Sequence, residues 1–319
     1  MDNILNVFVL SNLMGKEDSL LGEYHGIRVV EDPSIAPQFE VYNQEIGETW
    51  EKFKMRNPNV RDEPKLRVNF YEEEEDTLVL HLGRGVSFAN LIYSNMLCRE
   101  RDSPSFPEET YEFRDGKHFA RLPYSNVASV IGVLLFDPNR SFDASDPELK
   151  TVLSVRSKIA ATNPGVLTLL VNGYVDIKND DGISGELLEE NLFREMLEES
   201  YLTREETSYF GFIGPSQTRG KSCDLAWLVG IGLSYEKWRE RWIAMRGQEE
   251  SRGILPVKIA DINRIKDLEE RRRLLLRDGI LSDEARRDLV EGGMPVHLPF
   301  ESIYYILGNK LQGYFDRIR

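Results

Sequence analysis

The chain has 319 residues, of which 41% are hydrophobic and 29% charged, with 24 glycines and 14 prolines. That is the profile of a globular protein with room for one large domain or two ordinary ones, and it excludes collagen-like, low-complexity and wholly disordered chains. A formal net charge of −14 and a pI near 5.0 make the average surface repel nucleic acid and anionic membrane, so DNA is not an expected partner. Cys98 and Cys223 are too few for a disulfide framework and fit a reducing compartment. The opening MDNILNVFVLSNLMG has no basic stretch ahead of its apolar residues, and no window of about 18 uncharged apolar residues occurs anywhere. The expectation is a cytoplasmic protein with no membrane span.

In chain order, NVFVL (6–10) and GIRVV (26–30) read as strands, and residues 39–53 have helical spacing with Ile46, Trp50 and Phe53 on one face. LRVNF (66–70) and TLVLHLG (77–83) read as a hairpin across the acidic turn YEEEED. RDSPSFPEETYEF (101–113) reads as a linker. SVIGVLLF (129–136), TVLSVRS (151–157) and VLTLLVNGYVD (166–176) read as strands, followed by a strongly helical segment over 185–200. YFGFIG (209–214) and DLAWLVGIGL (224–233) return to strand. After Ser234 the pattern is mostly helical, over 235–245, 262–277, 283–290 and 300–317. The expected fold class is α+β in two domains, with residues 1–115 forming a smaller α+β domain and linker and residues 116–319 a second domain with a helical C-terminal elaboration.

The segment GYVDIKNDDGISGELLEENLFREMLEESYL (173–202) carries the chemistry. Leu188, Leu192 and Met196, with Phe193 and Leu197, form one side of a helix. Glu195, Glu198 and Glu199 stand at i, i+3 and i+4, so their carboxylates converge away from that stripe. Like charges crowded in this way destabilise an isolated helix, and oxygen-preferring divalent cations, Mg²⁺ or Mn²⁺, are the natural compensation. Arg194 can pair with one carboxylate and orient it.

This segment resembles the signature box of the Nudix hydrolases: Gly, five residues, Glu, seven residues, Arg-Glu, apolar, any residue, Glu-Glu, any residue, Gly, apolar. TVLSVRS and NPGVLTLLVNGYVD resemble the strands ahead of the box, and YFGFIG and DLAWLVGIGL those after it. Two positions depart from the pattern. The first family glycine falls on Asp180 by count, and Gly173 fits it better if about seven residues lengthen the loop. The second is replaced by Tyr201. The resemblance implies an α/β/α sandwich with a mixed sheet, and hydrolysis of a nucleoside diphosphate linked to another moiety with release of a nucleoside monophosphate. It implies Glu198 and Glu199 as main ligands of Mg²⁺ or Mn²⁺, with Glu195 as third ligand or as the base that orients water. It also implies a backbone carbonyl at Asn172 or Gly173 as a ligand, a supporting role for Glu186, and Arg156 as a phosphate contact.

Residues 49–96 resemble the accessory domain of a Nudix subgroup that hydrolyses UDP-sugars, through Trp50, Asn57-Pro58, Pro64–Val68 and Leu82–Phe88. A UDP-sugar-like molecule is therefore the first expected substrate, with canonical or damaged nucleoside triphosphates second. A Nudix-like module that binds a nucleotide or an RNA 5′ end without turnover is the alternative from another class. The expected partner is a small nucleotide, and self-association is left open. The remaining groups point elsewhere. His25, His81, His118 and His297 lack metal spacing, Gly83-Arg84-Gly85 reads as a tight turn, and Trp227, Tyr209 and Phe136 read as strand packing. Residues 269–277 read as an amphipathic helix, and Asp224 stands as a possible extra carboxylate beside the metals.

Overall fold

A computed structural model describes residues 26–33, 40–74, 77–99, 111–120, 124–157, 165–178, 182–217, 222–245 and 251–292, together with residues 307, 311, 312 and 315. The fold is mixed α+β, with mostly antiparallel strand pairing. By its contacts the chain divides into two compact units, Met1–Val130 with Gly173–Leu192 and Gly211–Ala226, and Ile131–Asn172 with Phe193–Phe210 and Trp227–Arg319. No helix among the described residues is long and apolar enough to cross a membrane.

In the first unit, β1 (Gly26–Glu31) pairs in parallel with β3 (Thr77–Ser87), and β2 (Pro64–Glu74) runs antiparallel to β3. The acidic run expected as a turn is largely strand, because Tyr71–Glu74 continue β2 in register with Thr77–Leu80. A second hairpin, β4 (Tyr111–Arg114) and β5 (Lys117–Ala120), pairs with β2 through β5. Its two-residue turn holds Asp115 and Gly116 at φ 51° and 76°, the all-positive geometry that suits the right-handed twist of the flanking strands. The linker expected over 101–113 therefore ends in strand from Tyr111, and its earlier part lies outside the described residues, as does NVFVL. Helix α1 (Asn43–Lys54) buries Ile46 and Trp50 and lies against α2 (Phe88–Arg99), an element that the spacing did not reveal. Phe88 meets Trp50 and Phe53 edge-on there. The tight turn expected at Gly83-Arg84-Gly85 is instead an irregular stretch inside β3. A Cβ at Gly83 would lie 2.7 Å from the Asp32 carbonyl, so only glycine permits that approach.

In the second unit, β7 (Lys150–Arg156) runs antiparallel to the end of β6 (Val127–Phe136), to β8 (Leu167–Leu169) and to β12 (Ser251–Lys258). Strand β12 lies between the helical segments expected over 235–245 and 262–277, and the short β13 (Ile280–Leu281) pairs with it. The single strand expected over 166–176 breaks at Leu170. Strand β8 pairs with β7, whereas β9 (Val171–Tyr174) pairs with β6. Helix α4 (Tyr235–Met245) buries Trp238 and Trp242. The helix expected over 262–277 is a 3-10 segment, Ile259–Lys266, followed by α5 (Leu268–Asp278). Asp267 separates the two, its side chain accepting from the Glu270 N–H as an N-cap does. Helix α6 (Asp283–Gly292) follows, and residues 300–317 lie almost wholly outside the described set.

Five elements contribute residues to both units: β6 and β9, together with α3 (Gly185–Ser200), β10 (Thr207–Gln217) and β11 (Ser222–Ile231). Strands β6 and β11 are buried at every position, which explains their unbroken apolar runs where a half-exposed strand would alternate.

Candidate active site

Helix α3 begins after Ser184, whose hydroxyl accepts the Leu187 N–H at 3.3 Å. Leu188, Leu192 and Met196 are buried at successive i, i+4 positions, so the apolar stripe fixes the helix's rotation. Leu197 departs from the expected stripe and is 51% exposed, while Phe193 packs edge-on against Phe210 under the Arg204 guanidinium.

The Arg194 guanidinium reaches two of the box carboxylates, Glu195 Oε1 at 2.9 Å and Glu198 Oε2 at 3.6 Å. Glu195 is nearly buried and Glu198 well exposed. Glu199 is fixed differently, its Oε2 accepting the Asn172 backbone N–H at 2.7 Å. That bond brings the Asn172 backbone, in β9, onto the Glu199 carboxylate. Within the first unit, Gly173 belongs to β9 and Glu186 to the first turn of α3. The loop between them is tied down by Asn191, whose amide oxygen accepts the Asp176 N–H at 3.1 Å and whose amide nitrogen donates to the Leu187 carbonyl at 2.9 Å. The Asp176 carboxylate pairs with the buried Lys65.

Arg156 ends β7, and its backbone carbonyl accepts from Arg252 Nε at 3.2 Å. Its own Nε is buried without a hydrogen-bond partner among the described residues. Asp224, on β11 in the first unit, accepts hydrogen bonds from the Ser129 and Ser222 hydroxyls. Burial pushes its carboxyl above the ordinary range, and the two hydroxyl bonds oppose that shift. The aromatics read as packing do pack: Phe136 lies against Trp238, and Tyr209 against Phe142 and Phe315.

Oxygen donors alone are what Mg²⁺ or Mn²⁺ prefers, and the carboxylates of Glu195, Glu198 and Glu199 on one helix are donors of that chemistry. Among the described residues, no three acidic, histidine or cysteine side chains are already gathered within a metal's reach. Arg194 and the Asn172 N–H occupy Glu195 and Glu199 instead.

The sequence did not point to the groups beyond the last turn of α3. Trp238 Nε1 donates to the Ser200 carbonyl at 2.8 Å, Trp242 Nε1 to the Glu199 carbonyl at 3.3 Å, and Arg241 Nη1 to the Tyr201 carbonyl at 3.2 Å. Arg241 also clasps Glu206 through two bonds of 2.7 Å. The available signal was two tryptophans at i and i+4 with two arginines between them on an otherwise charged helix, YEKWRERWIAM.

The sequence matches no protein-family model, and no curated protein matches it. Among solved structures, the chain is similar to DR0079 of Deinococcus radiodurans at 14% identity and a TM-score of 0.30, over 59% of this chain and 86% of that one. It is also similar to Shewanella oneidensis NrtR in complex with a 27mer DNA, at 18% identity and a TM-score of 0.27, over 60% and 81% of the two chains. A second structure of Shewanella oneidensis NrtR matches at 16% identity and a TM-score of 0.28, over 60% and 83%.

Proposed function

We propose that this chain is a divalent-metal-dependent hydrolase of the Nudix type, which cleaves the diphosphate of a nucleoside diphosphate derivative and releases a nucleoside monophosphate. The observation that carries this reading is the acidic frame of residues 186–199. It folds as one helix on a buried stripe, with Arg194 bonded to Glu195 and the β9 backbone bonded to Glu199. A solvated acidic helix needs neither contact.

Glu198 and Glu199 would hold the ion, with Glu195 completing the set of carboxylates. When bound, such an ion lowers the pKa of a water and neutralises charge on the phosphoryl oxygens. The chain's own part is orientation. Arg194 holds Glu195 so that its carboxylate serves as ligand or as the base that positions a water. Glu186 would support the start of the helix, and the Arg156 guanidinium would meet a phosphate oxygen. A UDP-sugar is the first substrate to try, on the likeness of residues 49–96, and nucleoside triphosphates are the second.

One observation favours a second reading, a nucleotide-binding module without turnover. Glu195 and Glu199 are both already satisfied by protein donors. Product analysis separates the two readings, using UDP-sugars, ADP-ribose, dinucleoside polyphosphates, all nucleoside triphosphates and 5′-triphosphorylated RNA, each with Mg²⁺ and Mn²⁺. Metal-dependent release of a nucleoside monophosphate, lost in Glu198→Gln, supports the hydrolase. Silence across the panel in both proteins overturns it.

A further inference from the structure

The residue that follows α3 is Tyr201, held at φ 56°, with its N–H bonded to the Leu197 carbonyl at 3.1 Å. A helix that ends in the left-handed conformation usually ends in glycine, because a Cβ there crowds the neighbouring carbonyl. Tyrosine is strained at this position, and the strain falls two residues after Glu199. The three carbonyls around this exit, those of Glu199, Ser200 and Tyr201, each accept a hydrogen bond from a different side chain of α4: Trp242, Trp238 and Arg241. Trp238 and Trp242 are almost wholly buried, so their indoles are fixed donors. Arg241 is fixed in turn by its paired bonds to Glu206.

We infer that Trp238, Arg241 and Trp242 are positioning residues, a brace that holds the last turn of α3 against the strain at Tyr201 and so sets the direction of the Glu198 and Glu199 carboxylates. The metal-directed part of this inference rests on the hydrolase reading. The physical logic is that of an outer shell. An unbraced helix end frays by a turn, and fraying here would unseat the two expected ligands first. The Glu199 carboxylate accepts the Asn172 N–H, so a shift of the Glu199 backbone displaces that contact as well. The brace and the left-handed tyrosine are therefore coupled: with glycine at position 201 the exit is relaxed and the brace becomes dispensable.

The test uses the full chain with Mn²⁺ alone as probe, read from the signal of free Mn²⁺ by electron paramagnetic resonance. The variants are Arg241→Ala and Trp242→Phe, each alone and combined with Tyr201→Gly. Each single brace variant is expected to bind Mn²⁺ about tenfold more weakly, the usual scale for losing an outer-shell support, and Tyr201→Gly is expected to recover most of that loss. Brace variants that melt earlier yet bind Mn²⁺ like the parent overturn the positioning role, as does failure of Tyr201→Gly to recover affinity. A parent chain that binds no Mn²⁺ overturns the hydrolase reading instead. The brace is then judged by amide exchange at Glu199–Tyr201. Faster exchange in the single variants, reversed by Tyr201→Gly, upholds it, and unchanged exchange overturns it.

Discussion

The two ends of helix α3 are secured by different means. At its start the bonds are short-range: Ser184 to the Leu187 N–H, Asn191 to the Leu187 carbonyl, and Asn191 to the Asp176 N–H across 15 residues. At its end the donors come from 38 and 43 residues further along the chain, through the indoles of Trp238 and Trp242. The start is therefore held by the loop that leads into it, and the end by a helix that the chain reaches only after two intervening strands. The expected ligands sit at the end with the long-range support, where position is set by packing rather than by local turn chemistry. Supports of that kind hold one geometry more firmly than a fraying terminus can, as metal ligands require.

The largest expected effect separates the two ends by activity. Glu198→Gln should lower turnover at least about 100-fold, since removing a ligand forfeits several kcal/mol of transition-state stabilisation. Its exposed side chain should leave stability within about 0.5 kcal/mol of the parent. Glu186→Gln, at the other end, should cost less than about tenfold. Equal losses in steady-state assays would erase the functional distinction between the ends. The next effect reverses the contrast. Asn191→Ala removes an amide that bonds both the Asp176 N–H and the Leu187 carbonyl in a nearly buried place, and should cost about 1–3 kcal/mol in urea unfolding. Turnover per folded molecule should stay within a few-fold.

A third expectation sharpens the account of the far end through pH. The Arg241 hydrogen bond holds the Glu206 carboxyl below its ordinary 4.5, aided by the Thr203 N–H and opposed by partial burial. Folding thus favours the ionised form. The stabilisation is complete above pH 4.5 and is lost as the pH falls through the lower folded value. Glu206→Gln should lose on the order of 1 kcal/mol at pH 7, the scale of a partly exposed paired charge. Its difference from the parent should close in acid below pH 4.5. A constant gap across that range would mean that the pair contributes by shape and not by charge.

The same contrast explains what could be read in advance. The bounds of α3, the β2–β3 hairpin and the buried strands β6 and β11 follow from periodicity and apolar runs, which are local properties. The acidic frame was legible for the same reason, since i, i+3 and i+4 spacing is a property of one helix. The break at Leu170 was not, because it reflects a change of pairing partner from β7 to β6. Strand β12 was missed for a related reason. Its GILPV run is short and flanked by charge, and its strand character comes from register with β7 and from the close approach of Ile280 to Gly253. The α4 brace needs both ends of a contact in view, and no spacing within YEKWRERWIAM indicates which carbonyls its indoles will meet.

The smallest expected effect concerns Asp224, a carboxyl whose setting is the opposite of that of Glu198. Glu198 is displayed to solvent beside a guanidinium, whereas Asp224 is buried, its described bonds coming from two serine hydroxyls. Burial is the leading cause of its raised pKa, because two neutral donors do not repay the desolvation of a full charge. The folded protein therefore binds this proton more tightly than the unfolded chain does. As the pH rises above 3.8 the unfolded carboxyl ionises first and stability falls, levelling only once the folded carboxyl ionises as well. Asp224→Asn keeps the shape and removes the charge, so it should match the parent near pH 3 and gain stability as the pH rises. The gain at pH 7 should be about 1 kcal/mol or less, since an amide replaces the two hydroxyl bonds imperfectly. Thermal unfolding across pH 3–8 measures that gap. A variant that instead loses stability steadily as the pH rises would mean that the buried carboxylate is ionised and compensated in the fold, and that burial governs Asp224 less than its two serines do.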